Sequence, residues 1–240
     1  MLNVDTIYQK VLALANKEQR GYITPQDFNL FANYAQKEIF EQYFYDTNIA
    51  RKNQGNDTVY ADIDDMLEEK LQIFDQTDGP NAISNYVGAG GGGINKRVPD
   101  YVYRIHRVEY QNKNCEILNT KDFNAVKDGG PLLRPTDNRP VVNIRGGIIR
   151  CVIGDNISVT PTGIFYFKIP EKVNWTYVVV NKQALHDANS NTVHFELHPS
   201  EETQLVNKIL KLAGLSNQQP DIMRAGQGME MATTQQQPKI

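Results

Sequence analysis

Across residues 24–46, TPQDFNLFANYAQKEIFEQYFYD, apolar positions keep helical spacing for longer than anywhere else in the chain. At about 100° per residue, Phe28, Phe31, Ala32, Ala35, Ile39 and Tyr43 share one face, as a helix lying on a core requires. Thr24 is placed to cap this helix through its side-chain oxygen, Pro25 suits the first turn, and Asp27 sits near the positive end of the dipole. At about 1.5 Å per residue the segment reaches roughly 33 Å. Leu30, Tyr34 and Tyr45 fall together on nearly the opposite face, separated from the first stripe by Asn29, Asn33, Gln36, Glu41 and Gln42. One stripe is enough to bury a helix in a small domain, so two imply a helix held from two sides.

The pattern on either side predicts partners for it. Residues 4–17 align Val4, Ile7, Tyr8, Val11, Leu14 and Ala15 and turn at Arg20-Gly21, which predicts a helical hairpin with the long helix. After a polar break at residues 53–57, residues 61–74 read as a third, acidic helix carrying Ile63, Met66, Leu67, Leu71 and Ile73, stopped by Asp78-Gly79-Pro80. Residues 87–94 are too glycine-rich to hold a regular element alone. From residue 98 to residue 180 the period shortens. Runs such as Tyr101-Val102-Tyr103-Arg104-Ile105, Val141-Val142-Asn143-Ile144 and Ile164-Phe165-Tyr166-Phe167 alternate with Gly and Pro punctuation, which predicts many short strands in an antiparallel sandwich or barrel. Asp122 to Val126 fits a single helical turn between them. At Ser200 the helical period returns: Ser200 is the expected cap, Leu205, Val206, Ile209, Leu210 and Ala213 the buried stripe, Gly214 the closing residue, and Leu215 an apolar clasp on Leu210. Residues 216–240, rich in Gln, Met and Gly, read as a tail that only a partner would order.

Composition narrows the function classes. A net charge of −3 over 240 residues argues against a strongly basic nucleic-acid binder. Charge is nevertheless uneven: Asp57, Asp62, Asp64, Asp65, Glu68, Glu69, Asp75 and Asp78 stand against Lys70, while residues 96–150 lean basic. That polarity suits subunit contact or steering, and a solvated acidic helix is the plainer reading. Cys115 and Cys151 are too few for a disulfide framework and fit a reducing cytoplasm. No signal-peptide pattern opens the sequence and no apolar run nears the roughly 20 residues of a membrane span, so a soluble chain without a membrane partner is expected.

Chemical motifs are imitated rather than completed. Residues 16–27 have the glycine and terminal carboxylate of a calcium loop, but Arg20 stands at a ligand position and opposes a cation. Residues 88–93 have phosphate-loop spacing, yet Ile94-Asn95 replaces the Lys and hydroxyl that would reach phosphate and magnesium. His194, Glu196 and His198 alternate, so a strand would project all of them to one side; this is a possible metal arrangement beside the simpler reading of solvated histidines. No nucleophile setting is found, and Trp175 with the tyrosines reads as core rather than a base-stacking platform. The expectation is a non-enzyme with no catalytic residue, cofactor or metal.

Four stretches together resemble one family. They are Gln19-Arg20-Gly21-Tyr22-Ile23-Thr24-Pro25-Gln26-Asp27-Phe28-Asn29, Pro131-Leu132-Leu133-Arg134-Pro135-Thr136-Asp137-Asn138-Arg139-Pro140-Val141, Lys168-Ile169-Pro170-Glu171-Lys172-Val173-Asn174-Trp175, and Glu196-Leu197-His198-Pro199-Ser200-Glu201-Glu202-Thr203. They look like head-to-tail connector proteins of tailed phages, the adaptor or tail-tubular-A-like rings, especially those of the crAss-like group. The resemblance covers most of residues 2–215 and its motifs are structural. It implies an α+β chain: residues 1–80 in a helical bundle, 81–97 a Gly-rich loop, 98–196 an inserted antiparallel β sandwich or barrel domain, 197–215 a helix completing the bundle, and 216–240 an extended arm. It also implies a homo-oligomer, a dodecameric ring beneath the portal protein at the head-tail junction of the virion, made in the host bacterial cytoplasm. Such a ring seals the head exit, offers a platform to further tail or ring proteins, and passes genomic DNA through its lumen without sequence recognition. On that reading Leu30, Tyr34 and Tyr45 lie between subunits, and Ile222 and Met223 anchor the arm on the portal. The basic residues 96–150 would then face the acidic helix of an adjacent copy or line the channel. The alternative from another class is a tail or capsid-vertex binding module whose β domain recognises a sugar or peptide.

Overall fold

The computed structural model of the chain describes residues 1–16, 23–52, 58–78, 85–86, 95–181, 183–187, 191–216, 227–228 and 231. Among them the chain is α+β, with antiparallel and mixed sheets. It divides into two compact units, one made of Met1–Ile73 with Pro170–Ile240, the other of Phe74–Ile169.

The first unit opens with α1 (Val4–Asn16), α2 (Pro25–Lys52) and α3 (Thr58–Gln72). Thr24 caps α2 as expected: its Oγ1 accepts from the Asp27 N–H at 3.2 Å and its carbonyl from the Phe28 N–H at 2.9 Å. The helix runs past residue 46 to Lys52, since no breaker precedes Asn53-Gln54-Gly55, and the buried Thr47 hydroxyl donates back to the Tyr43 carbonyl at 2.7 Å. Its buried face holds Phe28, Ala32, Ala35, Ile39, Phe40 and Tyr43; Phe31 is only half-buried. Val4, Ile7, Tyr8, Val11 and Ala15 are the buried side of α1. In α3 Leu67 and Leu71 are buried, whereas Met66, expected beside them, is exposed.

The second unit begins with β1 (Asp75–Asp78), β2 (Asn85–Tyr86), β3 (Asn95–Arg97), β4 (Val102–Tyr110), β5 (Lys113–Asn114) and β6 (Glu116–Leu118). It continues with α4 (Thr120–Lys127), β7 (Val141–Arg145), β8 (Ile148–Ile153), β9 (Ile157–Val159) and β10 (Gly163–Lys168). One sheet has the order β1-β10-β4-β5; the other is β2-β3-β8-β7-β6, with β9 added on β8. Both supply one apolar cluster: Val108, Ile164 and Tyr166 come from the first sheet, Val142, Ile149 and Cys151 from the second. Gly146 and Gly147, at φ +59° and +71°, make the two-residue turn joining β7 to β8, a conformation that residues with a Cβ resist.

Three expectations change here. The sheets are not wholly antiparallel, because β6 and β7 pair in parallel. Parallel neighbours need a crossover, and α4 supplies it, packing Phe123 on Val141 and Val152. That helix has eight residues rather than a single turn, capped by Asn119, whose Oδ1 accepts from the Asp122 N–H at 2.9 Å. Finally, the unit spans residues 74–169, not 98–196. Polar Asp75–Asp78 joins as an edge strand on β10, and two pieces of the expected loop 81–97 pair as β2 and β3. These additions are backbone pairing, which side-chain patterning does not advertise.

Beyond residue 169 the chain returns to the helical unit. β11 (Tyr177–Val180) and β12 (Gln183–His186) pair only with each other among the described residues, and α5 (Glu202–Ser216) follows a 3-10 turn, Pro199–Glu201. That turn displaces the expected cap: His198 takes the position, its ring nitrogen accepting from the Ser200 N–H at 3.3 Å. Gly214 does not close α5, which continues to Ser216; the expected clasp by Leu215 falls outside the described side chains. α5 buries Leu205, Val206, Ile209, Leu210 and Ala213 and packs on α1 and α2. Ion pairs tie its N-terminal half outward, Glu202 to Lys10 and Lys208 to Glu38.

Candidate interaction surfaces

Three of the polar residues that separate the two stripes of α2, Asn29, Asn33 and Gln36, are not spacers. Asn33 Nδ2 donates to the Val173 carbonyl at 2.9 Å, and its Oδ1 accepts from the Val173 N–H at 2.8 Å. Asn29 does the same at Trp175, donating to the carbonyl at 3.2 Å and accepting from the N–H at 2.8 Å. Gln36 donates to the Glu171 carbonyl at 2.8 Å and accepts from the Glu196 N–H at 3.2 Å. Glu196 Oε2 completes the set by accepting from the Glu171 N–H at 2.9 Å. Helical positions 29, 33 and 36 therefore read alternate positions 175, 173 and 171 of an extended segment, substituting for a neighbouring strand. This is the physical content of the Lys168 to Trp175 stretch. Val173 and Trp175 point into the core, Trp175 against Tyr8 with ring centroids 4.0 Å apart and its Nε1–H donating to Asp5 at 3.0 Å. Paired amides at helical spacing opposite a period-2 apolar run are the signal of this pairing in the sequence.

The second stripe is exposed. Leu30 is 67%, Tyr34 60% and Tyr45 65% exposed, with the Lys37–Glu41 pair between them at 3.8 Å. Leu30 and Tyr34 lie one turn apart, and Tyr45 lies farther along the same side. A further apolar surface, which spacing does not mark, lies on the hairpin: Val178, Val179 and Val180 of β11 and Leu185 of β12 are all exposed. Val178 faces Leu185 across the hairpin, while Trp175 stacks on Tyr177 and His186 at its base.

Between α2, α3 and the start of α5 lies a charged cluster. Glu201 is buried and pairs with Lys70 at 2.6 Å; Lys70 Nζ also lies 5.8 Å from the centre of the Tyr43 ring. Burial, and then the negative charge of Glu201, hold the Tyr43 hydroxyl well above the ordinary phenol range, and among the described residues that hydroxyl has no partner in hydrogen-bond geometry. Burial likewise raises the Asp46 carboxyl, opposed by Lys70 and by a hydrogen bond from Gln42.

The candidate metal residues are engaged separately. His194 Nδ1 lies 3.4 Å from the Val4 N–H, Glu196 serves the Glu171 amide, and the His198 ring meets the Ser200 hydroxyl at 2.8 Å. Among the described residues no group of three or more His, Cys, Asp or Glu could hold a metal ion, and no helix is long and apolar enough to cross a membrane. Residues 17–22 of the calcium-like loop, the phosphate-like loop 88–93 and the arm residues Ile222 and Met223 lie outside the described residues. No family model and no curated protein matches the sequence.

Proposed function

We propose that the chain is a virion structural protein, a connector or adaptor subunit that forms a ring beneath the portal of a tailed phage, seals the head exit, joins head to tail and leaves a channel for DNA. One observation carries the reading: α2 buries one face and hydrogen-bonds through a second flank, yet keeps Leu30, Tyr34 and Tyr45 in solvent. A helix so fully used inside its own unit has no internal need of two tyrosines and a leucine on the outside. In a ring each copy presents one surface and receives another, and such head-to-tail contact closes when the rotation is right. The resemblance of the four sequence stretches supports the same assignment. On this reading α1, α2, α3 and α5 act as a bundle, the two sheets of the second unit act as a sandwich, and residues 216–240 form an arm anchored on the portal by Ile222 and Met223.

The test is assembly. Native mass spectrometry and negative-stain imaging, with and without the portal protein, should give rings for the unaltered chain. Tyr34→Glu should give a folded monomer that forms none. Rings that persist unchanged in Tyr34→Glu would assign the exposed stripe another role, and unaltered portal attachment after deletion of residues 216–240 would remove the arm from the proposal.

A further inference from the structure

We propose that Cys115 and Cys151 form an oxidative modification site, a dithiol that closes to an intramolecular disulfide on meeting a peroxide. They are the two cysteines of the chain, and they lie 36 positions apart in sequence with their sulfurs 3.9 Å apart inside the second unit. A disulfide needs about 2.05 Å, so the sulfurs must close by roughly 2 Å.

The fold sets one of the pair at a corner between strands and the other within a sheet. Cys115 stands between β5, in the first sheet, and β6, in the second, and is the corner at which the chain changes sheets. Its N–H donates to the Val108 carbonyl at 2.8 Å, tying it to the first sheet, while its side chain enters the cluster shared by both. Cys151 is the fixed end, on β8 between Val142 of β7 and Val159 of β9.

The two sulfurs are also unequal in position. Cys115 keeps 8% of its surface exposed and Cys151 1%, so a peroxide meets Cys115 first. Their shared hydrogen bond, which either sulfur can donate, favours one thiolate in the pair against burial. Cys115 is thus the attacking sulfur and Cys151 the resolving one. The Cys115 thiolate attacks one peroxide oxygen, the O–O bond breaks, and the departing hydroxide takes a proton to become water, leaving a sulfenic acid. The Cys151 sulfur then attacks the Cys115 sulfur, the S–O bond breaks, and the hydroxyl leaves as water with the Cys151 proton. Two thiols have lost two electrons and two protons, and one peroxide has become two waters. The bond would pin the sheet-changing corner to β8 and close a loop containing β6, α4 and β7. This inference is independent of the ring proposal.

The full-length protein is treated with a small excess of hydrogen peroxide, quenched in denaturant with an alkylating agent, and analysed by intact mass and non-reducing peptide mapping. The expected result is a loss of two hydrogens, no alkylation, and one cross-linked peptide joining Cys115 to Cys151. The melting temperature should rise on the order of 10 °C and return on reduction. Cys151→Ser should lose the cross-link and leave a Cys115 sulfenic acid that dimedone traps. Alkylation of both thiols after peroxide, oxygen addition without a cross-link, or a disulfide between chains would each overturn the proposal, and all are read on the unaltered protein if the variant does not fold.

Discussion

The two flanks of α2 invert the usual association of polarity with solvent. On one, Asn29, Asn33 and Gln36 are drawn inward because each amide offers both a donor and an acceptor, matching the N–H and C=O of an extended segment. On the other, Leu30, Tyr34 and Tyr45 remain in water. An unmet backbone group in the interior costs about 1–3 kcal/mol, so polar side chains that meet such groups are part of the fold. An exposed apolar side chain costs its own unit little and is available to another surface.

That contrast can be tested by substitution. The most damaging change should be Lys70→Met, which strands the buried Glu201 carboxylate without its cation; about 3 kcal/mol of unfolding free energy is expected to be lost, read by urea denaturation. Asn33→Ala removes both hydrogen bonds to Val173 and should cost about 2 kcal/mol. Asn33→Asp, which keeps the acceptor but sets a carboxylate oxygen against the Val173 and Asn29 carbonyls, should cost at least as much at neutral pH and less at a pH where the carboxyl is protonated. A loss independent of pH would mean that packing rather than pairing is measured. Tyr43 gives a pH signature. Its folded proton is held more tightly than in the unfolded chain, so stability is intact below the phenol range and falls as pH rises past about 10, by at most about 1.4 kcal/mol per pH unit. Tyr43→Phe should flatten that part of the curve, and an unchanged slope would assign it to other tyrosines. Smallest of all should be the effect of Tyr34→Glu on the fold, within about 0.5 kcal/mol, although on the proposed function the same change abolishes assembly. A large loss of monomer stability there would erase the distinction between the flanks.

Much of the helical unit was legible. The core face of α2, the Thr24 cap, the buried stripe of α5 and the exposure of the second stripe all follow from spacing, because a helix converts sequence interval directly into angle. The candidate surfaces were half legible. Leu30, Tyr34 and Tyr45 stand out by position, whereas Val178 to Val180 are marked by spacing only as strand. Their β-branched pattern is that of a buried strand, and they are uncovered because, among the described residues, β11 pairs with β12 alone. The resemblance implies that residues 98–196 go with the sheets, yet Glu171, Val173 and Trp175 are held by helix amides and Phe195 by its bridge to Leu2.

By itself the sequence determined the α+β class, where most helices begin, and which side of α2 lies on its core, since these depend on local propensity and periodicity. Tertiary structure alone decided that Asp75–Asp78 is a strand, that β6 and β7 run parallel, that Asn29, Asn33 and Gln36 serve a segment far along the chain, and that Cys115 meets Cys151. Each of these joins residues distant in sequence through backbone pairing or side-chain reach. No local pattern encodes which distant partner a strand, an amide or a thiol will meet once the chain has folded.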